Sequence, residues 1–223
     1  MKVGGNSTGQ QTPDKTLVIE NIRASGIRIV GFGGSNTYAF GLRTNYGLIL
    51  TTLLSKHSTV PVFHSMAGQT VALASESQER FINDVLSLEP AIVIFEFGSH
   101  ERDFQVPPDR FYNTMKEMIQ QVRRSGGTSI LIAPTLVQTP ERKKKTTPYL
   151  RVLSALAKET TSIFIDPGDA AKNIKRESTL FHSPHDAVHW SAKGHEFVAK
   201  LLYEAILKAG IIPLKGTQKP ARS

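Results

Sequence analysis

Five short apolar runs constrain this chain more than any other feature: IRIVGF at 27–32, TVPVFHS at 59–65, AIVIFEF at 91–97, TSILIAP at 128–134 and SIFIDP at 162–167. They are rich in Ile, Val and Phe and mostly apolar at consecutive positions. That is the pattern of strands covered by helices on both faces, and so of a parallel sheet. The segments between them read as helices. YGLILTTLLSK (46–56) fills part of the first gap, and SESQERFINDVLSL (75–88) puts Phe81, Val85 and Leu88 near one face. PDRFYNTMKEMIQQVRRSG (108–126) starts after a proline pair and ends in basic residues and glycine, as helices do. PYLRVLSALAKET (148–160) follows, and SAKGHEFVAKLLYEAILKAG (191–210) has Ser191 as its cap and Gly210 as its stop. The alternation predicts the α/β class, a three-layer α/β/α sandwich around a five-stranded parallel sheet. No internal repeat or domain-scale linker interrupts it. A single domain is therefore expected over 25–210, after a flexible lead over 1–24 and before a tail over 211–223.

The chain has 223 residues, enough for one sizeable core, and its 39% hydrophobic and 21% charged residues fit a soluble globular protein. No apolar run approaches the roughly 20 residues that cross a bilayer, so no membrane span is expected. The opening MKVGGNSTGQQTPDK has no apolar core of a signal peptide. As given, the sequence suggests the cytoplasm, with secretion expected only if an export signal has been removed. The absence of cysteine excludes disulfides, a cysteine nucleophile and thiolate metal sites. The net charge of +8 lies partly in ERKKK (141–145) and in the tail LKGTQKPARS. The first reads as a solvated loop and the second as a frayed end. A basic surface also suits acidic polysaccharide, nucleic acid or anionic lipid. No basic stretch is interleaved with aromatics, so no nucleic-acid partner is expected.

In such sheets ligands sit beyond the carboxyl ends of the strands. Ser35 follows the first run in GFGGSNT, Gly68 the second in HSMAGQT, and GSHERD (98–103) the third. Asp166 ends the fifth, and a long connection leads to HSPHDAVHWSAKGH. Acyl transfer needs a nucleophile, a base, a group to orient the base, and donors for the oxyanion. Ser35, on a glycine-rich bend, is a candidate nucleophile; taken alone the stretch favours a helix N-cap, and Gly68 with Asp186-x-x-His189 turns the reading toward a nucleophile. Gly68 can offer a backbone N–H with no side chain in the substrate's way. His189 can be the base, and Asp186, three residues earlier, can reach its imidazole; Asp166 is the alternative acid. His182, His185, His189 and His195 with Asp186 contain zinc-ligand types but none of the strict spacings, so no metal and no cofactor is expected. His195 is expected to make a structural hydrogen bond. GFGGSN lacks the G-K-[ST] ending of a phosphate loop, and Asn36 stands where a dinucleotide fingerprint needs its third glycine. Trp190, beside the base, is either a lid or a pocket wall.

These motifs, in this order, resemble the SGNH, or GDSL-like, hydrolase family of serine esterases, over roughly residues 25–209. The resemblance implies a flavodoxin-like SGNH hydrolase fold. Residue by residue, it puts the family's serine on Ser35, its second-block glycine on Gly68 and its D-x-x-H pair on Asp186 and His189. The chain departs from the pattern twice. Gly34 replaces the Asp of GDS. GSHE (98–101) replaces GxND, which puts His100 at the oxyanion-donating asparagine and Glu101 at the aspartate. A neutral imidazole still has one ring N–H to donate. The implied activity is hydrolysis of a carboxylic ester without a cofactor, with a small acyl ester or acylated glycan as substrate and acetyl on a carbohydrate as the expected group. The basic 141–145 segment suits an acidic glycan. Two alternatives stay open: a degenerate glycan- or protein-binding relative, and an acyltransferase using the same triad.

Overall fold

The computed structural model describes residues 26–134, 140–172, 174, 177–183 and 186–215. The expected lead over 1–24, His185 and the tail beyond 215 lie outside the described residues.

The apolar runs form a five-stranded parallel sheet of β1 (Ile27–Gly33), β2 (Val62–Gly68), β3 (Ile92–Glu96), β4 (Thr128–Ile132) and β5 (Ile163–Ile165), in the order β2-β1-β3-β4-β5. The register pairs Gly33 with both Gly68 and Glu96, so three strand ends converge at one point. Side chains alternate across a strand, and the core divides accordingly. Ile27, Ile29, Ile92, Ile94, Ile130 and Ile132 face one side, where they meet α2 (Tyr46–His57) and α7 (Ala192–Ala209). Val30, Phe32, Val93, Phe95 and Leu131 face the other, where they meet α4 (Pro108–Arg124) and α5 (Pro140–Thr160). Each fully buried side chain of this size contributes about 2 kcal/mol from area removed from water. Short helices α1 (Ser35–Tyr38), α3 (Ser99–Asp103) and α6 (Pro167–Ala171) follow β1, β3 and β5 directly. The capping expectations for α7 hold: Ser191 accepts from the Gly194 N–H at 3.2 Å, and Gly210 adopts φ 61°.

Several elements differ from the sequence expectation. The second strand starts at Val62, three residues late, because Pro61 has no N–H for the ladder; its carbonyl instead accepts from the Ile27 N–H at 2.8 Å. The 75–88 segment is not one α-helix. It runs through a 3₁₀ turn (Ala74–Glu76), an α turn (Gln78–Arg80), a π turn (Phe81–Val85) and a second 3₁₀ turn (Leu86–Leu88). The Phe81 ring nonetheless packs 5.5 Å from Phe32 and 5.8 Å from Phe95. The basic 141–145 segment is not a loop but the opening of α5, which begins at Pro140 and runs through Pro148. Charge there reads as a loop in one dimension, yet Lys145 pairs with Glu141 one turn back at 3.0 Å, as helix neighbours do. Finally, the connection before α7 contains an antiparallel hairpin, β6 (Phe181–Ser183) and β7 (Asp186–Trp190), with Ser183 opposite Asp186 and Phe181 opposite Trp190. No helix among the described residues is long and apolar enough to cross a membrane.

Candidate active site

Gly33 ends β1 where a Cβ would lie 2.3 Å from the Glu96 carbonyl oxygen, so only glycine lets β1 and β3 close at this point. The chain then turns through Gly34 into α1, with Ser35 as the first helical residue. Gly34 is the cap and no side chain caps α1, so the N-cap reading of Ser35 does not hold. Glu96, at the end of β3 and 4% exposed, holds this turn. Its Oε2 accepts from the Gly34 N–H at 3.1 Å, the Thr37 N–H at 3.3 Å and the Thr37 hydroxyl at 3.3 Å. Burial pushes the Glu96 carboxyl up to about 7, against the Thr37 and Gly34 hydrogen bonds that favour its charged form. The Thr37 hydroxyl also meets the Tyr46 hydroxyl at 3.0 Å.

Gly68 closes the other side. A Cβ there would sit 2.1 Å from the Tyr38 nitrogen. Glycine is required here because the backbone of α1 lies on the end of β2.

His189 and Asp186 lie on β7. His189 Nδ1 is 2.8 Å from Asp186 Oδ2, while Asp186 Oδ1 accepts from the Val188 and His189 N–H groups at 3.0 Å each. Burial pushes the Asp186 carboxyl up, but the His189 N–H, its ring and the Val188 N–H outweigh that and hold it below the usual range. The acid is therefore charged, and it fixes which ring nitrogen of His189 faces away from it. Asp166 plays another part: it caps α6 by accepting from the Asp169 N–H at 3.0 Å.

Phe40 and Asn36 join β7 to the Ser35 turn. The Phe40 ring stacks on the His189 ring, centroids 4.8 Å apart at 25°, while the Phe40 N–H donates to the Ser35 carbonyl at 3.2 Å. Asn36 is buried against the same strand: its Nδ2 donates to the Val188 carbonyl at 3.3 Å and its Oδ1 accepts from the Trp190 N–H at 2.9 Å. The Ser35 hydroxyl and the His189 ring are not hydrogen-bonded to each other here. Such contacts are often long before substrate binds.

His100 stands on α3 with its ring against Gly34, where a Cβ would be 3.0 Å from Cε1 and 3.1 Å from Nδ1. Its Nδ1 faces the Ala72 N–H at 3.5 Å. Burial lowers its pKa, with Asp103 opposing and Arg102 and His189 adding to the fall. The ring is thus neutral at neutral pH. Glu101 braces α3 against the segment after β2. Its Oε2 accepts from the Gly98 N–H at 2.7 Å and its Oε1 from the Ala74 N–H at 2.8 Å. Gly98 needs its glycine, at φ 109° with Pro134 Cγ 2.5 Å from a Cβ.

Trp190 is neither lid nor wall; at 1% exposure it belongs to the core beside α7. His195 packs there too, 6.2 Å from the Tyr46 ring and 5.5 Å from Trp190, and its buried Nδ1 has no hydrogen-bond partner. Aromatic packing takes the place of the expected hydrogen bond. Among the described residues no group of three His, Cys, Asp or Glu side chains can hold a metal ion, and His185 lies outside them. The sequence reading missed Glu96 and the part played by Asn36. A carboxylate inside the run AIVIFEF was a usable signal, since buried charge needs partners.

The model of the GDSL-like Lipase/Acylhydrolase family matches residues 31–197. Among curated proteins nothing matches the chain. Among solved structures, the acetylxylan esterase Axe2 from Geobacillus stearothermophilus is 21% identical, with a TM-score of 0.68 over 82% of this chain and 94% of that one. A structure assigned to the G-D-S-L family of lipolytic proteins, from Desulfitobacterium hafniense DCB-2, is 19% identical, with a TM-score of 0.68 over 80% and 98%. At these identities the likeness establishes a shared fold.

Proposed function

The chain belongs to the GDSL-like Lipase/Acylhydrolase family, an ester-hydrolysing family, and on that premise we propose that it cleaves a short acyl ester through Ser35, His189 and Asp186. The observation that carries this reading is the 2.8 Å contact between His189 Nδ1 and a charged Asp186. It leaves Nε2 as the nitrogen able to take a proton. In the reaction, Nε2 takes the Ser35 hydroxyl proton as Oγ attacks the ester carbonyl carbon. The C=O electron pair moves onto oxygen, held by the backbone N–H groups of Ser35 and Gly68 and by the His100 side chain. Collapse expels the alcohol, which takes the proton from Nε2. Water then repeats the sequence on the acyl-enzyme and releases the acid.

Acetyl on a carbohydrate is the proposed substrate. The acetylxylan esterase fold-mate supports it, as do Tyr38 and Phe40, exposed aromatic rings beside the Ser35 turn of the kind that stack on sugars. Positive charge on the first turns of α5 suits an acidic glycan. The test is hydrolysis of p-nitrophenyl acetate and release of acetate from acetylated xylo-oligosaccharide, by the wild type and Ser35→Ala, with labelling by a fluorophosphonate probe. Turnover and labelling are expected in the wild type only. Equal turnover in Ser35→Ala would remove the serine from the mechanism. Absence of both turnover and labelling in the wild type would favour a binding protein. A product that changes when sugar acceptor is added would identify a transferase.

A further inference from the structure

The residue after the candidate nucleophile is attached to the strand that carries the candidate base. Asn36 is 3% exposed, and its side-chain amide spans His189. It donates to the carbonyl of the preceding residue, Val188, at 3.3 Å and accepts from the N–H of the following residue, Trp190, at 2.9 Å. These partners are 152 and 154 residues away in sequence. An amide is suited to this site because it offers one donor and one acceptor on a short, planar group. A carboxylate offers only acceptors, and an apolar side chain leaves a buried carbonyl and a buried N–H without partners. Among the described residues β7 has one sheet neighbour, β6. The amide ties β7 to α1.

We propose that Asn36 is a positioning residue that clamps the His189 segment to the Ser35 turn, a role that rests on the triad reading above. It touches neither substrate nor reacting atoms. It acts by keeping the imidazole where the serine proton can reach it, and a displacement of about 1 Å at such a point costs on the order of 10²-fold in rate.

Asn36→Ala removes both hydrogen bonds. Asn36→Asp keeps the shape and the acceptor for Trp190 but sets an oxygen against the Val188 carbonyl, and it decides the matter should the alanine variant fail to fold. Two readouts are taken on each: kcat and KM for p-nitrophenyl acetate, and the His189 Nδ1 proton resonance, assigned by its loss in His189→Gln. In Asn36→Ala, kcat should fall about 10²-fold while KM stays within about threefold, and the Nδ1 resonance should broaden. Asn36→Asp should fall in between. A kcat within about twofold of wild type in both variants would overturn the clamp. So would an Nδ1 resonance left sharp and unmoved. If Ser35→Ala retains full turnover, the triad reading fails and the resonance alone decides: broadening in Asn36→Ala supports the clamp, and no change overturns it.

Discussion

Glu96 Oε2 accepts from both the backbone N–H and the hydroxyl of Thr37, so a buried carboxylate from β3 holds the turn that presents Ser35. Burial raises this group from 4.5 to about 7, and the consequence for stability has a definite sign. Between those values the folded protein keeps a proton that the unfolded chain has lost. Stability attributable to Glu96 is therefore full below pH 4.5 and lost as pH rises to about 7. The size is on the order of 3 kcal/mol, from about 1.4 kcal/mol per pH unit. Glu96→Gln cannot titrate, so its stability relative to wild type should rise by that amount from pH 4.5 to 7, read by urea unfolding at each pH. A pH-independent difference would show that Glu96 ionises normally in the fold.

His195 works in the opposite direction. Burial among aromatic rings lowers it from 6.5 to about 4, so the unfolded chain binds a proton first as pH falls. Its contribution is present above pH 6.5 and lost as pH drops to about 4. Replacing it with Phe, which also removes an unpartnered Nδ1, should flatten the acid side of the stability curve. A curve as steep as wild type below pH 6.5 would assign that loss to other groups.

His100 is neutral and lies beside Gly34, and because Nδ1 accepts from the Ala72 N–H, Nε2 is the nitrogen left to donate to an oxyanion. His100→Ala should lower kcat by about 10²- to 10³-fold with little change in KM, and His100→Asn should restore much of it. Equal kcat in wild type and His100→Ala would exclude the ring from the reaction.

The two departures from the family pattern meet in space, at Gly34 and His100. A Cβ on residue 34 would be 3.0 Å from the His100 ring and 3.6 Å from Glu96 Oε2, so a carboxylate there meets both the ring and a second carboxyl group. Gly34→Asp should cost about 1–3 kcal/mol. In the double variant with His100→Asn, that cost should shrink by about 1 kcal/mol or more beyond additivity. Strict additivity in thermal unfolding would show that the two positions are independent.

Gly68→Ala should be among the most damaging single-methyl changes in the chain. The added carbon would meet the Tyr38 nitrogen at 2.1 Å, which is backbone and cannot swing aside. A loss of about 3 kcal/mol or more is expected, together with most of the activity, because α1 must lift off β2. Wild-type stability would mean that α1 does not rest on this glycine.

What the sequence determined by itself was local. Consecutive apolar residues mark strands of a sheet covered on both faces, since each buried position must be apolar whatever it touches. Asp186 and His189 are three residues apart, and a local turn in which Asp186 Oδ1 accepts from the Val188 and His189 N–H groups brings carboxylate to imidazole, at 2.8 Å. Ser191 and Gly210 bound the last helix through contacts within one turn. Only the tertiary structure decided the rest. Glu96 is a misplaced charge until Gly34 and Thr37, 62 and 59 residues earlier, supply its hydrogen bonds. Asn36 is a polar residue on a bend until β7 returns across 152 residues to meet it. Trp190 looks like a pocket residue because it adjoins His189, yet side chains alternate along a strand and it points into the core. Residues close in sequence meet through chain geometry alone. Residues far apart meet only where packing of the whole sheet brings their strands together, and no short window of sequence contains that information.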